Sequence, residues 1–358
     1  MSSLQPVSGT AEEILGLLRD WEAAADPPSL VIATSGSTGA PKRVLLSREA
    51  MRASALATIE RLGGPGHWVL NLPATYVAGV QVLFRSVVSG TTPVLFDESF
   101  ARTGVRVHGR SFVSLVPTQL VRLLEVPEEV AALASYSAVL VGGGPLDPAV
   151  RLRAEEHGIS VVQTYGMSET CGGCVYDGVP LDVVEVRIDD GQVLLRGPVL
   201  FDGYEGEPDR TAAALRDGWL VTNDLGHLDD LGRLHVEGRA DDVIITGGIK
   251  VPAGAVARLL EQRPDVEQAV VLGLPDREWG QRVVAVASRR KAQSGVPGDA
   301  TRGAMTRNSA GSPEPEDAVE WPTGWKPKQV IWVDRMPLLP NGKVDRQALV
   351  AMVLEGSP

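Results

Sequence analysis

The 358-residue sequence has only two cysteines, Cys171 and Cys174, and only 5% aromatic residues. The C-G-G-C spacing has no second cysteine pair and no histidine cluster to complete a tetrahedral metal site, so the pair reads as two small residues in a glycine-rich loop. Five histidines (67, 108, 157, 227 and 235) are scattered without metal-ligand spacing, and no G-x-S-x-G elbow is present. Metal-dependent and Ser-His-Asp hydrolases are therefore poor readings. Positive charge is also short: 34 Lys+Arg face 45 Asp+Glu, a net charge of -11. No basic field exists to attract nucleic acid or an anionic membrane surface, and neither is expected as a partner. No apolar run reaches the roughly 18 residues of a membrane span, and Glu12, Glu13, Arg19 and Asp20 interrupt any signal-peptide core. A cytoplasmic protein without membrane insertion is expected.

What is there is an ordinary globular composition, 44% hydrophobic and 22% charged, in a chain long enough for one large domain and one small one. From Ser29 to about Val162, short apolar runs alternate with helical patterns. Strands are expected at 30–33, 68–72, 93–96, 112–116, 139–141 and 159–162, with helices over 48–62, 77–89, 117–126 and 147–157. This alternation predicts an α/β core with a mostly parallel sheet, whose ligands lie at the carboxyl ends of its strands. From about 181 to 239, closely spaced short strands and turn signals predict a small barrel-like antiparallel β subdomain. The remainder, with a helix at 253–262, strands near 268–273, 282–288 and 328–333 and a final helix from about 345, suits a small α+β domain. The expected division is 1–240 and 241–358, with a disordered insertion at 291–320, where Gly, Ser, Pro and charge replace bulky apolar residues.

After the first of these strands comes Thr34-Ser35-Gly36-Ser37-Thr38-Gly39-Ala40-Pro41-Lys42, a run of hydroxyls and small residues closed by a lysine. Backbone N–H groups, hydroxyls and one ammonium suit phosphate oxygens. It is not a Walker loop, because Pro41 stands where the second glycine would precede the lysine.

The run resembles the signature loop of the adenylate-forming superfamily (acyl-CoA synthetases, luciferases and peptide-synthetase adenylation domains), T-S-G-S/T-T-G-x-P-K-G, with Arg43 in place of the last glycine. Five further segments resemble family motifs in the family's order: Tyr165–Thr170, Gly191–Gly206, Gly218–Gly226, Gly238–Asp242 and Pro340–Val344. The resemblance implies that a carboxylate and ATP form an acyl-adenylate and pyrophosphate, after which the thiol of coenzyme A displaces AMP. It implies that Lys343 bridges the carboxylate and the α-phosphate, and that Glu169, with Ser168 beside it, holds Mg²⁺. Thr34, Ser35, Gly36, Ser37, Thr38, Gly39 and Lys42 would hold ATP phosphates. Asp224 would accept the ribose hydroxyls with help from Arg239, while Tyr165 stacks on adenine and Gly143 and Gly144 let the base approach the backbone. Asp241 corresponds to the hinge between the domains, and Gly247, Gly248 and Lys250 to coenzyme A contacts, although Ile245 replaces a lysine found in several relatives.

Within the superfamily, the segments at 72–79, 85–88, 114–120, 142–148 and 165–171 resemble the o-succinylbenzoate:CoA ligases of menaquinone biosynthesis. Such a substrate keeps a second carboxylate on its ring. Arg85 is the candidate cation for it, with Tyr76 and Ala78 beside the acyl group. Relatives carry well over a hundred residues before the T-S-G loop and this sequence carries 33, so a shortened first subdomain is expected. Two alternatives stay open, another aryl or acyl acid:CoA ligase and a degenerate nucleotide-binding homologue. A homodimer is left open as the assembly.

Overall fold

The computed structural model describes residues 4–34, 42–104, 109–290, 319–339 and 342–355. Most of the glycine-rich loop (35–41) and of the expected insertion (291–318) lies outside the described residues. The chain forms two compact units, 1–236 with 338–344, and 237–337 with 345–358. The short segment carrying Lys343 thus belongs to the first unit, although in sequence it falls within the range expected for the second domain.

Three sheets build the first unit. The smallest joins β1 (Gln5–Pro6), β2 (Leu30–Ala33), β3 (Arg43–Leu46) and, from far along the chain, β13 (Gly203–Tyr204). β2 and β3 pair antiparallel, and Thr34 N–H donates to the Lys42 carbonyl at 2.8 Å, closing the base of the glycine-rich loop. This corrects the expectation that 30–33 is a strand of the parallel sheet. The main sheet has the order β10 (Val179–Pro180), β9 (Gly172–Tyr176), β8 (Val161–Met167), β7 (Ala138–Gly142), β6 (Ser111–Leu115), β4 (His67–Leu70), β5 (Val94–Leu95). Its strands from β5 to β8 are parallel, and β9 and β10 extend it antiparallel.

Alternation along the strands explains how the main sheet is covered. Trp68 and Leu70, Phe112, Ala138 and Leu140 point into one core with α2 (Arg48–Arg61) and α3 (Val77–Ser89). Val69, Val113, Leu115, Val139 and Val141 point into the other, with α5 (Pro117–Leu123), α6 (Pro127–Ala134) and α7 (Pro148–Glu156). Burial on both faces is why these strands read as continuous apolar runs. The helices start where their caps place them. Ser47 Oγ accepts the Ala50 N–H at the head of α2, and Thr10 and Glu13 form a reciprocal capping box on α1 (Ala11–Ala23), a helix with no counterpart in the sequence reading. The third sheet is antiparallel, in the order β11 (Glu185–Asp189), β12 (Gln192–Arg196), β15 (Trp219–Leu228), β14 (Leu215–Arg216), with β16 (Leu234–Arg239) also on β15.

The second unit has its own antiparallel core of β17 (Val243–Thr246), β18 (Ile249–Pro252), β19 (Val266–Asp276) and β20 (Gly280–Arg289), extended in parallel by β21 (Gln329–Val333). Val256 and Leu260 of α9 (Ala253–Glu261) pack into that core.

Candidate functional site

The carboxyl ends of β6, β7 and β8 converge on one edge of the main sheet, the position where parallel α/β sheets take ligands. Three glycines follow or end β7. Gly142 has no room for a side chain, since a Cβ there would lie 2.3 Å from Thr164 Oγ1. Gly143 has φ +81°, and a Cβ there would lie 3.3 Å from Cε of Lys343. The segment bearing that lysine folds back on itself: Leu339 N–H donates to the Lys343 carbonyl at 2.7 Å, Leu338 bridges Val344, and Thr118 Oγ1 donates to the Gly342 carbonyl at 3.2 Å. The lysine is thereby held at the end of β7. Beside it, a cavity of about 640 Å³ opens at the carboxyl end of β4, lined by Asn71, Thr75, Thr118, Leu339 and Gly342 among others.

Glu169 follows β8 in a short 3-10 turn, Ser168–Thr170, and is 8% exposed. Two bonds hold it: its backbone carbonyl accepts Phe201 N–H at 2.9 Å, and its Oε1 accepts the Tyr204 hydroxyl at 2.8 Å. Oε2 makes no hydrogen bond among the described residues. One oriented carboxylate with an available oxygen, next to the half-buried Ser168 hydroxyl, fits a hard cation that takes its remaining ligands from phosphate and water. Lys42 closes the glycine-rich loop with its ammonium 5.4 Å from the Tyr204 ring centre. Thr34 stands at the loop's other end, and Ser35, Gly36, Ser37, Thr38 and Gly39 lie outside the described residues.

Tyr165 and Asp224 meet across the sheet junction. The phenol donates to Asp224 Oδ2 at 2.7 Å, and burial together with that negative charge pushes its pKa well above the ordinary value. A bulge between Tyr165 and Gly166 sets the tyrosine's aim. Asp224 is 8% exposed, and its own N–H donates to Thr222 Oγ1 at 3.0 Å.

Around α3, Tyr76 is the half-buried N-cap residue and Ala78 is exposed in the first turn. Gly79 lets the preceding loop lie on the helix, since a Cβ there would be 2.2 Å from the Pro73 carbonyl oxygen. Arg85 is two turns further on and 4% exposed, its guanidinium 4.7 Å from the Trp68 ring centre. Its Nε makes no hydrogen bond, no carboxylate pairs with it among the described residues, and burial lowers its pKa from the usual arginine value.

The other assigned residues belong to the second unit. Arg239 Nε and Nη2 donate to the two Asp241 carboxylate oxygens, both at 2.8 Å. Gly247 and Gly248 are the two central residues of the β17–β18 hairpin, with φ +54° and +80°, the backbone that such a tight turn requires. Lys250 is exposed on β18. The structure therefore brings Gly143, Gly144 and Lys343 to one edge, joins Lys42 to Glu169 through Tyr204, and pairs Tyr165 with Asp224. Tyr204 was not singled out from the sequence, although it is the tyrosine of the G-Y pair that ends the Gly191–Gly206 motif.

A parallel sheet covered on both faces, with a lysine-bearing segment and an oriented carboxylate at its carboxyl edge, has the layout in which α/β nucleotide-binding enzymes place their ligands. The chain belongs to the AMP-binding enzyme family, whose model matches residues 6–205. It is 42% identical over 356 residues to the probable 2-succinylbenzoate–CoA ligase of Mycobacterium tuberculosis, covering 95% of this chain and 88% of that protein. Among solved structures, it matches the o-succinylbenzoate CoA synthetase of Bacillus subtilis in complex with its acyl-adenylate intermediate, with 27% identity and TM-score 0.70 over 89% of this chain and 68% of that one. ATP-bound MatB from Rhodopseudomonas palustris shares the fold at TM-score 0.75 and 24% identity, over 90% of this chain and 67% of that one.

Proposed function

We propose that the protein joins o-succinylbenzoate to coenzyme A through an acyl-adenylate, releasing pyrophosphate and then AMP, in menaquinone biosynthesis. The observation that carries the adenylation chemistry is the lysine of a remote segment held against Gly143. A carboxylate is a weak nucleophile, and its charge repels the triphosphate, so the site must supply cations and alignment. When the carboxylate oxygen bonds the α-phosphorus and the bond to the pyrophosphate oxygen breaks, the Lys343 ammonium stabilises the charge that gathers between the two reactants. Glu169 and Ser168 hold Mg²⁺, which supplies charge neutralisation on the phosphates when bound. Asp224, oriented by Tyr165, accepts from ribose, with Arg239 assisting, and Gly143 and Gly144 admit the base.

The choice of acid rests on Arg85. A buried guanidinium lacking a carboxylate partner fits a substrate that brings its own second anion, and a guanidinium can bind one through two parallel hydrogen bonds. An acid without a second carboxylate would leave this buried cation with the Trp68 ring and no anion. Tyr76 and Ala78 flank the acyl group at the head of α3. In the thioester step Asp241 serves as hinge, and Gly247, Gly248 and Lys250 contact coenzyme A. A cytoplasmic location is part of the same reading, supported by the need for ATP and coenzyme A, and among the described residues no helix is long and apolar enough to cross a membrane; light scattering decides between monomer and homodimer.

The test is mass detection of products from ATP, Mg²⁺, coenzyme A and o-succinylbenzoate, beside benzoate and a medium-chain fatty acid. A thioester and AMP from o-succinylbenzoate alone is the expected result. Turnover of another acid would retain the adenylation chemistry and discard the substrate. No turnover of any would favour a non-catalytic nucleotide-binding homologue.

A further inference from the structure

Tyr204 touches both halves of the phosphate-binding apparatus and carries none of the roles assigned above. Its hydroxyl donates to Glu169 Oε1 at 2.8 Å, and its ring lies 5.4 Å from the Lys42 ammonium, within range of a cation–π contact. The tyrosine itself is held from several sides. It pairs with Val44 of β3, its N–H donates to Thr211 Oγ1 at 2.8 Å, and its ring meets Phe201 edge-on at 4.9 Å. Phe201 in turn donates its N–H to the Glu169 carbonyl. The four residues from Phe201 to Tyr204 therefore grip the glutamate at both backbone and side chain.

A carboxylate that is free to rotate offers either oxygen to a cation. Here one oxygen is committed to a neutral O–H donor while the other makes no hydrogen bond among the described residues. We propose that Tyr204 is the positioning residue of the metal site: its hydroxyl fixes Glu169 so that Oε2 is the oxygen left for the Mg²⁺ of MgATP, while its ring docks the lysine of the glycine-rich loop. The proposal rests on the reading of Glu169 as metal ligand and is independent of which acid is activated.

Mn²⁺ binding measured by electron paramagnetic resonance, with α,β-methylene-ATP present, provides the test. Loss of an outer partner of a metal ligand costs on the order of 10-fold in metal affinity, and that weakening is expected for Y204F. In E169Q the second substitution should add less than about twofold, because the tyrosine acts through the glutamate. Affinity for AMP without metal should be unchanged in Y204F. Unchanged Mn²⁺ binding in Y204F, an equal loss of AMP binding, or a full additional loss on top of E169Q would each overturn the proposal. Unchanged Mn²⁺ binding in E169Q would overturn the Glu169 assignment and this proposal with it, whatever Y204F shows. In the unsubstituted chain with ¹³C-labelled tyrosine, Mg²⁺ added to the analogue complex is expected to shift one tyrosine C–O stretch. A constant spectrum would also overturn it.

Discussion

Two residues of the first unit, Lys343 and Arg85, carry the proposed reading of the chemistry. Lys343 lies against Gly143 at the end of β7, and its proposed role is confined to the step in which a carboxylate and a phosphate meet. Lys343→Ala is therefore expected to abolish acyl-adenylate formation, read as pyrophosphate release, while thioester formation from supplied acyl-adenylate and coenzyme A persists. Equal loss in both half-reactions would remove the assigned role. Arg85 stacks on Trp68 with Nε unsatisfied. Arg85→Met should raise KM for o-succinylbenzoate by about 10- to 100-fold, the worth of charge-assisted hydrogen bonds at roughly 1.5–3 kcal/mol. The KM of any acid lacking the second carboxylate should move far less, and a uniform rise would mean that the arginine supports packing only. Lys343 was singled out in the sequence through the resemblance of Pro340–Val344 to a family motif, and not through any local pattern of its own. Tyr204 was not, because its partner Glu169 is 35 residues away and no local pattern records a contact between β13 and the turn that follows β8.

At the scale of elements, the parallel strands of the main sheet and helices α2, α3, α5 and α7 were legible because two-sided burial gives short apolar runs and because Ser47 and Asp147 stand at helix starts, whereas α6 and the antiparallel strand β9 were not read. The pairing of β2 with β3 was not legible, since a strand followed by a glycine loop and a helix also describes a parallel crossover. Glycines at crossings are the elements' weak points. A Cβ at Gly166 would sit 2.0 Å from the Gly172 carbonyl oxygen, so both strands of the β8–β9 junction must move to accept it. Gly166→Ala is expected to cost about 1–3 kcal/mol, as overpacking does, seen as a lower urea midpoint, and to weaken AMP binding through Tyr165. Stability unchanged within about 0.5 kcal/mol would contradict the crowding. The same junction buries Cys171 and Cys174, and burial pushes the Cys174 thiol up to about 12. Both thiols should therefore resist a thiol reagent at pH 8 in the native protein and react together on unfolding. Rapid native labelling would contradict that burial.

At the scale of the whole molecule, the two units have separate hydrophobic cores. Leu83 is fully buried in the first, and Leu260 is 1% exposed in the second. Truncating either leucine to alanine should cost about 2–5 kcal/mol. In calorimetry, Leu260→Ala is expected to lower one component of the unfolding trace and Leu83→Ala the other. A single transition shifted alike by both would show that the units unfold as one. The division carries a further consequence for genetic dissection. Residues 338–344 belong to the first unit, yet chain belonging to the second both precedes and follows them. The units are interleaved, so no single cut of the gene separates them. A fragment ending near 236 carries the glycine-rich loop, Glu169 and Asp224 without Lys343. Its expected phenotype is nucleotide binding uncoupled from adenylation, and supplying the rest of the chain as a second polypeptide is the complementation experiment that the interleaving invites.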